Sequence, residues 1–463
     1  MNVPIVSGRL PVIALVGRPN VGKSTLFNVL TRSRNALVGD RPGVTRDRQY
    51  GFAEHAGRRF IVCDTAGLSE EHIPLAQQTA LQTQQALAEA DGVLVMVDAR
   101  AGPNASDEAV IKRVRTSGKP AWLVANKAEG LNEQNAVTDF YRLGLGAPRA
   151  ISAEHNQGVA ALLDLVLAAF PPGAEPHVET DEGVRVAIVG RPNVGKSTLV
   201  NRLLGEERVL TLDFPGTTRD AIHIPFERDG RKYTLIDTAG VRRRAKVEDA
   251  IEKFSVIKTL QAIESAHVVI VVVDAQEDIG VQDARILGLV ADSGRALVIA
   301  INKWDGLESS ARGRVKSEVD RKLPFLDYAQ VEFISALHGS GLRELMKAVN
   351  EAYRAATAEL PTPKLNEALQ QALEAHSPPA VLGRRIKLRY AHQGGNNPPV
   401  IVVHGNQTEK LPVSYKRYLV HRFREAFKLW GTPVQLVFKT GENPYRGRPA
   451  GDAPRRGRRA QKS

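Results

Sequence analysis

Gly17-Arg-Pro-Asn-Val-Gly-Lys-Ser-Thr25 recurs letter for letter as Gly190-Arg-Pro-Asn-Val-Gly-Lys-Ser-Thr198, 173 residues further on. Each copy follows an apolar strand and opens a helix, the setting that turns Gly-x4-Gly-Lys-Ser into a phosphate-binding loop. Gly17 and Gly22, with Gly190 and Gly195 in the second copy, let the backbone bend so that successive N–H groups face inward, and the helix N-terminus adds a dipole favourable to anionic oxygens. Lys23 and Lys196 are placed to reach the β- and γ-phosphates, and Ser24 and Ser197 to ligate Mg²⁺, with Thr25 and Thr198 closing each loop. A glycine-rich turn before an ordinary helix is the bland alternative. Two copies in matched context make it negligible.

The repeat extends well beyond the loop. Pro42-Gly-Val-Thr-Arg-Asp47 returns as Pro215-Gly-Thr-Thr-Arg-Asp220 and Asp64-Thr-Ala-Gly67 as Asp237-Thr-Ala-Gly240, both at the same offset of 173. Asn126-Lys127 returns as Asn302-Lys303 at 176, and Ile151-Ser-Ala153 as Ile334-Ser-Ala336 at 183. So long a period means a duplicated domain, because solenoid repeats run to roughly 20–50 residues. In the first copy, apolar strands at Val12–Val16, Phe60–Cys63, Val93–Val97, Trp122–Ala125 and Ala150–Ile151 alternate with helical patterns such as Leu75–Glu89 and Val159–Phe170. That alternation predicts a mostly parallel sheet with helices on both faces. The boundaries follow: a first domain over 1–170, an acidic linker over 171–183, a second domain over 184–360, a third over 361–445 and a tail over 446–463.

Asp64 and Asp237 end apolar strands 41 residues after their loop lysines, where a carboxylate holds Mg²⁺, and the N–H groups of Gly67 and Gly240 suit a γ-phosphate. Asn302-Lys-Trp-Asp305 closes a further strand. The Asp305 carboxylate there accepts from guanine N1–H and the exocyclic amine. Adenine offers neither donor, and a buried acceptor left unpaired costs about 1–3 kcal/mol. This step separates a GTPase from other P-loop proteins, including a kinase. The first copy reads Asn126-Lys-Ala-Glu129, so either its loop adjusts to the longer side chain or that site discriminates less; adjustment is the favoured reading.

The 463 residues are 43% hydrophobic and 25% charged, with 13 Phe, 9 Tyr and 3 Trp, so the cores are mainly aliphatic. A single cysteine, Cys63, excludes a disulfide scaffold and favours a reducing, cytoplasmic setting. It is read as a small buried hydrophobe. Val268–Val273 is six apolar residues long, against roughly 18 for a membrane span. Of the net charge of +12, residues 361–463 carry 19 basic and 6 acidic side chains, a net of +13. A solvated surface accounts for such an excess; its concentration in one region favours a polyanion such as RNA.

Five motifs in order, twice in one chain, followed by a small basic domain, resemble the Der (EngA) family of bacterial tandem GTPases, with G domains similar to those of Era-like translation-factor GTPases. The resemblance implies GTP and GDP as ligands and a GTP-hydrolysing factor acting in maturation of the large (50S) ribosomal subunit; the expected contact is with that subunit and its rRNA through the basic C-terminal region, by a monomer. It also implies that Thr45 and Thr218 complete Mg²⁺ coordination, act with Lys23 and Lys196 in catalysis, and that Ser152-Ala153 and Ser335-Ala336 contact guanine. Leu68 and Val241 stand where many GTPases have a water-positioning glutamine, so intrinsic hydrolysis is expected to be slow. Asn20 and Asn193 match an asparagine that in similar GTPases helps hold potassium near the γ-phosphate; the alternative is that they brace the loop. An RNA-binding scaffold with incidental turnover is the competing reading. The run Val241–Lys246 is either a partner contact or a solvated face.

The last domain reads helix (364–375), strand (386–390), a Gly394–Pro399 turn, strand (400–404), helix (414–429) and strand (434–438), an α+β layer that the resemblance makes KH-like. No Gly-x-x-Gly clamp for RNA occurs between 361 and 445. The basic tail lacks apolar periodicity and is expected to be disordered.

Overall fold

A computed structural model describes residues 9–35, 50–64, 84, 87–132, 136–171, 183–205, 223–236, 256–323, 326–381 and 384–440. The chain divides into two compact units. The first holds residues up to 358 with 395–399 and 428–435, and the second holds 359–394, 400–427 and the chain from 436 on.

Two six-stranded sheets form the first unit. In the first sheet, β1 (Val12–Val16) is flanked by β3 (Arg58–Asp64) and β4 (Gly92–Asp98), with β2 (Tyr50–His55), β5 (Ala121–Asn126) and β6 (Arg149–Ala150) further out. All neighbours run parallel except β2 against β3. The second sheet repeats this order with β7 (Val184–Val189), β8 (His223–Arg228), β9 (Arg231–Ile236), β10 (Val268–Asp274), β11 (Ala296–Asn302) and β12 (Gln330–Phe333). The expected α/β class is therefore present twice. The chain leaves β1 to one side and returns on the other, which opens a crevice beyond the strand ends at that switch point.

The inner strands are long apolar runs because both faces are covered: every residue of β4, β10 and β11 is buried. Helices α1 (Lys23–Asn35), α2 (Ala105–Thr116) and α3 (Val159–Ala168) belong to the first sheet. Around the second lie α4 (Lys196–Leu204), α5 (Val256–Ser265), α6 (Val281–Ser293), α7 (Ser309–Lys322) and α8 (Leu342–Ala356). Of the helix expected over 75–89, the described positions Gln84 and 87–89 are helical, and the rest lies outside the described residues. Strands β2 and β8 were not among the expected elements. They are antiparallel edge strands, and β8 alternates exposed and half-buried residues rather than forming an apolar run.

One apolar cluster contains residues of both sheets' surroundings, including Val12, Phe52 and Cys63 with Leu260, Ile286 and Leu289. At its rim Leu10 N donates to Gln261 Oε1 (3.1 Å) and Gln261 Nε2 donates to Leu10 O (2.9 Å). Arg59 of β3 pairs with Glu264 of α5 and donates to the Ser293 carbonyl (3.3 Å).

In the second unit α9 (Thr362–Ala375) and α10 (Val413–Phe427) pack on each other beside a sheet ordered β15 (Lys387–Gly395), β16 (Val400–Asn406), β17 (Gln435–Thr440). A two-residue hairpin, β13 (Ala380–Val381) with β14 (Arg384–Arg385), precedes it. Leu388, Ala391, Ile401, Val403 and Leu436 are buried with Leu365, Leu369, Leu419 and Phe423 of the helices. Strand β15 runs on through Gly395, so the expected turn begins two residues later than its first glycine. Its two bare glycine positions keep the extended course of the strand, with Gly394 lying against Val402.

Two candidate nucleotide sites

Each site is built where β1 or β7 gives way to α1 or α4. Gly22 and Gly195 have φ of 95° and 97°, and any side chain there would collide with the amides of Asn126 and Asn302. Close approach is what these asparagines require. Asn126 Nδ2 donates to Val21 O (2.8 Å) while its Oδ1 accepts from Ala153 N (2.9 Å). In the second site Asn302 Nδ2 donates to Val194 O (2.8 Å) and Oδ1 accepts from Ala336 N (2.9 Å). Each asparagine thus ties the phosphate loop to the loop carrying Ser152 or Ser335, all four polar groups being buried and satisfied.

Lys23 is buried, and its Nζ donates to the carbonyls of Gly17 and Arg18 (2.9 Å each). Burial lowers its pKa, and the carboxylate of Asp64 opposes that shift. Lys196 Nζ donates to Arg191 O (2.6 Å). Ser24 Oγ donates to Asp64 Oδ2 (2.7 Å), and Asp64 is 3% exposed. A hydroxyl and a carboxylate oxygen side by side are hard donors that fit Mg²⁺, an ion that leaves most of its shell to water and phosphate. No group of three His, Cys, Asp or Glu side chains that could cage a metal occurs among the described residues. Asn20 and Asn193 both take φ of 64°, a left-handed conformation that asparagine tolerates better than most residues.

At the base end, the Ser152 hydroxyl bonds Glu129 and the Ser335 hydroxyl bonds Asp305, the first cause in each case of a pKa held below the usual carboxylate range. The longer Glu129 therefore reaches the same serine that Asp305 reaches in the second copy. Arg100 completes its placement, donating from Nη2 to Glu129 Oε1 (2.8 Å) and Glu129 O (3.1 Å), and from Nε to Lys127 O (3.2 Å). At the second site His338 Nε2 lies 3.3 Å from Asp305 Oδ2. Lys127 and Lys303 stand at φ of 65° and 63°, and their ammonium groups pair with Asp98 (2.7 Å) and Asp274 (2.5 Å). Burial opposes ionisation of Asp98, yet Lys127 and the N–H groups of Ala101 and Arg100 hold its pKa down.

Of the residues singled out from sequence, the structure gathers Gly17, Gly22, Lys23, Ser24, Asp64, Asn126, Lys127, Glu129, Ser152 and Ala153 around one crevice. Gly190, Gly195, Lys196, Ser197, Asn302, Lys303, Asp305, Ser335 and Ala336 stand around the other. Thr45, Gly67, Thr218, Asp237 and Gly240 lie outside the described residues, as do Leu68, Val241, the basic run, most of the linker and the tail. Asp98 and Asp274 were missed. Their signal was present: Val-Asp-Ala at 97–99 recurs at 273–275, in step with Asn126 and Asn302. Also missed was a buried carboxylate on the third residue of α2 and α6. Asp107 Oδ1 forms an ion pair with Arg18 Nε at 3.3 Å and Asp283 Oδ1 accepts from Arg191 Nε at 2.8 Å, while their other oxygens accept the backbone N–H of Asn104 (3.1 Å) and Gly280 (3.0 Å).

Residues 12–127 and 185–303 match the family described as 50S ribosome-binding GTPase, and 359–439 match the KH-domain-like C-terminal region of EngA bacterial GTPase enzymes. A protein named GTPase Der from Thioalkalivibrio sulfidiphilus is 59% identical over 441 residues, covering 95% of each chain. GTPase Der from Methylococcus capsulatus is 57% identical over 440 residues, again covering 95% of each.

Proposed function

This chain belongs to the GTPase Der family, and we propose that its two nucleotide sites form a switch acting in maturation of the large ribosomal subunit. It is a GTPase with two G domains and a KH-like domain. The observation that carries the reading is the asparagine clamp, repeated with the same partners at both sites.

On this reading Lys23 and Lys196 exchange loop carbonyls for phosphate oxygens when a triphosphate enters. The Lys23 ammonium, already buried, loses little more solvation on meeting the anion. Ser24 and Ser197, with Thr45, Thr218, Asp64 and Asp237, would hold Mg²⁺, which when bound neutralises charge developing on the β- and γ-phosphate oxygens. Glu129 and Asp305 would accept from the guanine N1–H and amine, and the N–H groups of Gly67 and Gly240 would serve the γ-phosphate. Asn20 and Asn193 would help hold a potassium ion, which when bound would supply positive charge of the kind a finger arginine supplies. The protein acts as a monomer, and its basic C-terminal region contacts rRNA through charge that weakens with salt.

Phosphate release in potassium and in sodium, with and without large subunits, tests the reading, together with co-sedimentation in GDP and in a non-hydrolysable GTP analogue. Turnover stimulated by potassium and subunit binding that depends on the nucleotide are expected. Subunit binding indifferent to nucleotide, with no turnover in any condition, would contradict the switch.

A further inference from the structure

Three rings gather on one face of the small sheet in the second unit. Tyr390 and His392 are two residues apart on β15 and so share a face. His404 of β16 stacks on both: its ring centroid is 4.3 Å from that of Tyr390 at an interplanar angle of 8°, and 5.1 Å from that of His392 at 29°. The core is made by other positions of these strands, Leu388, Ala391, Ile401 and Val403, all buried. Tyr390 is 47% exposed. His392 and His404 are half-buried, so Tyr390 is the ring that the cluster presents outward, more exposed than packing alone requires.

Its surroundings are positive. No residue of β15, β16 or β17 is acidic. Lys387 and Arg389 are exposed on the strand that carries Tyr390, and so is Lys439 on β17. Burial first, then the charges of His392 and Lys439, lower the pKa of His404 and favour its neutral ring. A neutral stacked surface bordered by cations on a sheet is what a single-stranded nucleic acid recognises: the rings meet the π-face of a base and the cations meet the phosphates.

We propose that Tyr390, His392 and His404 form a stacking platform for an unpaired RNA base, with Lys387, Arg389 and Lys439 meeting the adjoining phosphates. The platform supplies a base contact in a domain that has no Gly-x-x-Gly clamp. It rests on the reading that the C-terminal region contacts rRNA, and it narrows that contact to unpaired nucleotides.

Fluorescence anisotropy of the full chain with a labelled oligouridylate, over a salt series, is the test. Tyr390→Ala should weaken binding roughly 5- to 150-fold, the span of one lost base–ring stack, with the salt slope unchanged. Tyr390→Trp should restore it, and Tyr390→Leu, which fills the space without a ring, should not, separating lost stacking from lost packing. Lys439→Ala should instead reduce the salt slope by about one. Basal GTP hydrolysis should be the same in all four variants, because these residues lie outside the nucleotide sites. Tyr390→Ala binding the oligonucleotide as tightly as wild type overturns the platform. If wild type still co-sediments with large subunits in that case, the rRNA reading survives alone; if it neither pellets nor binds the oligonucleotide, both fall. Lost co-sedimentation with unchanged oligonucleotide affinity would assign the surface to a ribosomal protein and overturn the RNA proposal.

Discussion

Asn302 and Ala336 are joined by a bond from the Ala336 backbone N–H to Asn302 Oδ1 at 2.9 Å, and Asn126 and Ala153 repeat it at the same distance. The same amides hold the phosphate loops through Val194 and Val21. The Gly-Lys-Ser loop and the loop carrying Ser152 or Ser335 are thereby fixed to each other by a single side chain.

Replacing that side chain should loosen both ends of the site at once. Asn302→Ala leaves a buried N–H and a buried carbonyl without partners, at about 1–3 kcal/mol each. GDP affinity at the second site should fall roughly 10- to 100-fold or more, and the first site should be unchanged. Calorimetric titration of the variant checks this; equal loss at both sites would mean the sites are not independent.

Glu129 and Asp305 should discriminate bases in the same way. Glu129→Gln and Asp305→Asn each present an amide to the base, which should shift preference at their own site from guanosine towards xanthosine diphosphate. Competition binding with the other site disabled by Lys196→Ala or Lys23→Ala reads this directly. Arg100→Ala should lower guanine affinity at the first site only, and by no more than a few-fold, because exposed ion pairs are weak. Unchanged discrimination in Glu129→Gln would remove that residue from base recognition.

Ser24→Ala removes a hydroxyl that bonds Asp64 at 2.7 Å. Nucleotide affinity at the first site should then lose most of its dependence on Mg²⁺, so that adding EDTA changes it little. An undiminished magnesium effect would show that other groups hold the ion.

The neutral His267 ring should make stability fall with acid. Burial, and then Arg185 and Arg295, lower its pKa to about 4, and its Nδ1 accepts from the Arg185 backbone N–H at 3.1 Å. A histidine with a depressed folded pKa contributes stability above its unfolded pKa near 6.5. That contribution is lost as pH falls towards 4, because the unfolded chain binds the proton first, and it is worth up to ~3 kcal/mol. Denaturant titrations from pH 7 to pH 4 should show a shallower loss in His267→Asn, which keeps an acceptor but does not titrate. Identical slopes would exclude His267 as the source.

Much of this was legible in the sequence because it is local. A glycine-rich loop between an apolar strand and a helix writes its chemistry into nine consecutive letters, and β4, β10 and β11 read as strands because both faces are buried. Strands β2 and β8 were illegible for other reasons: β8 alternates exposed and half-buried residues along an edge, and β2 buries only the short stretch Gly51, Phe52 and Ala53. The roles of Arg100 and of Asp107 arise from tertiary proximity, to Glu129 29 residues on and to Arg18 of the phosphate loop, far back in the chain. Asn104 with Asp107 at the start of α2 is a capping box visible in sequence, but nothing local shows that the same carboxylate also anchors the phosphate loop.

Calorimetric titration of the full chain with GDP and Mg²⁺ tests most directly whether each half of the repeat makes its own guanine-nucleotide site. Two equivalents should bind per chain, falling to one in Lys23→Ala and to one in Lys196→Ala. A single equivalent in wild type, or a complete loss of binding in either variant, would contradict it.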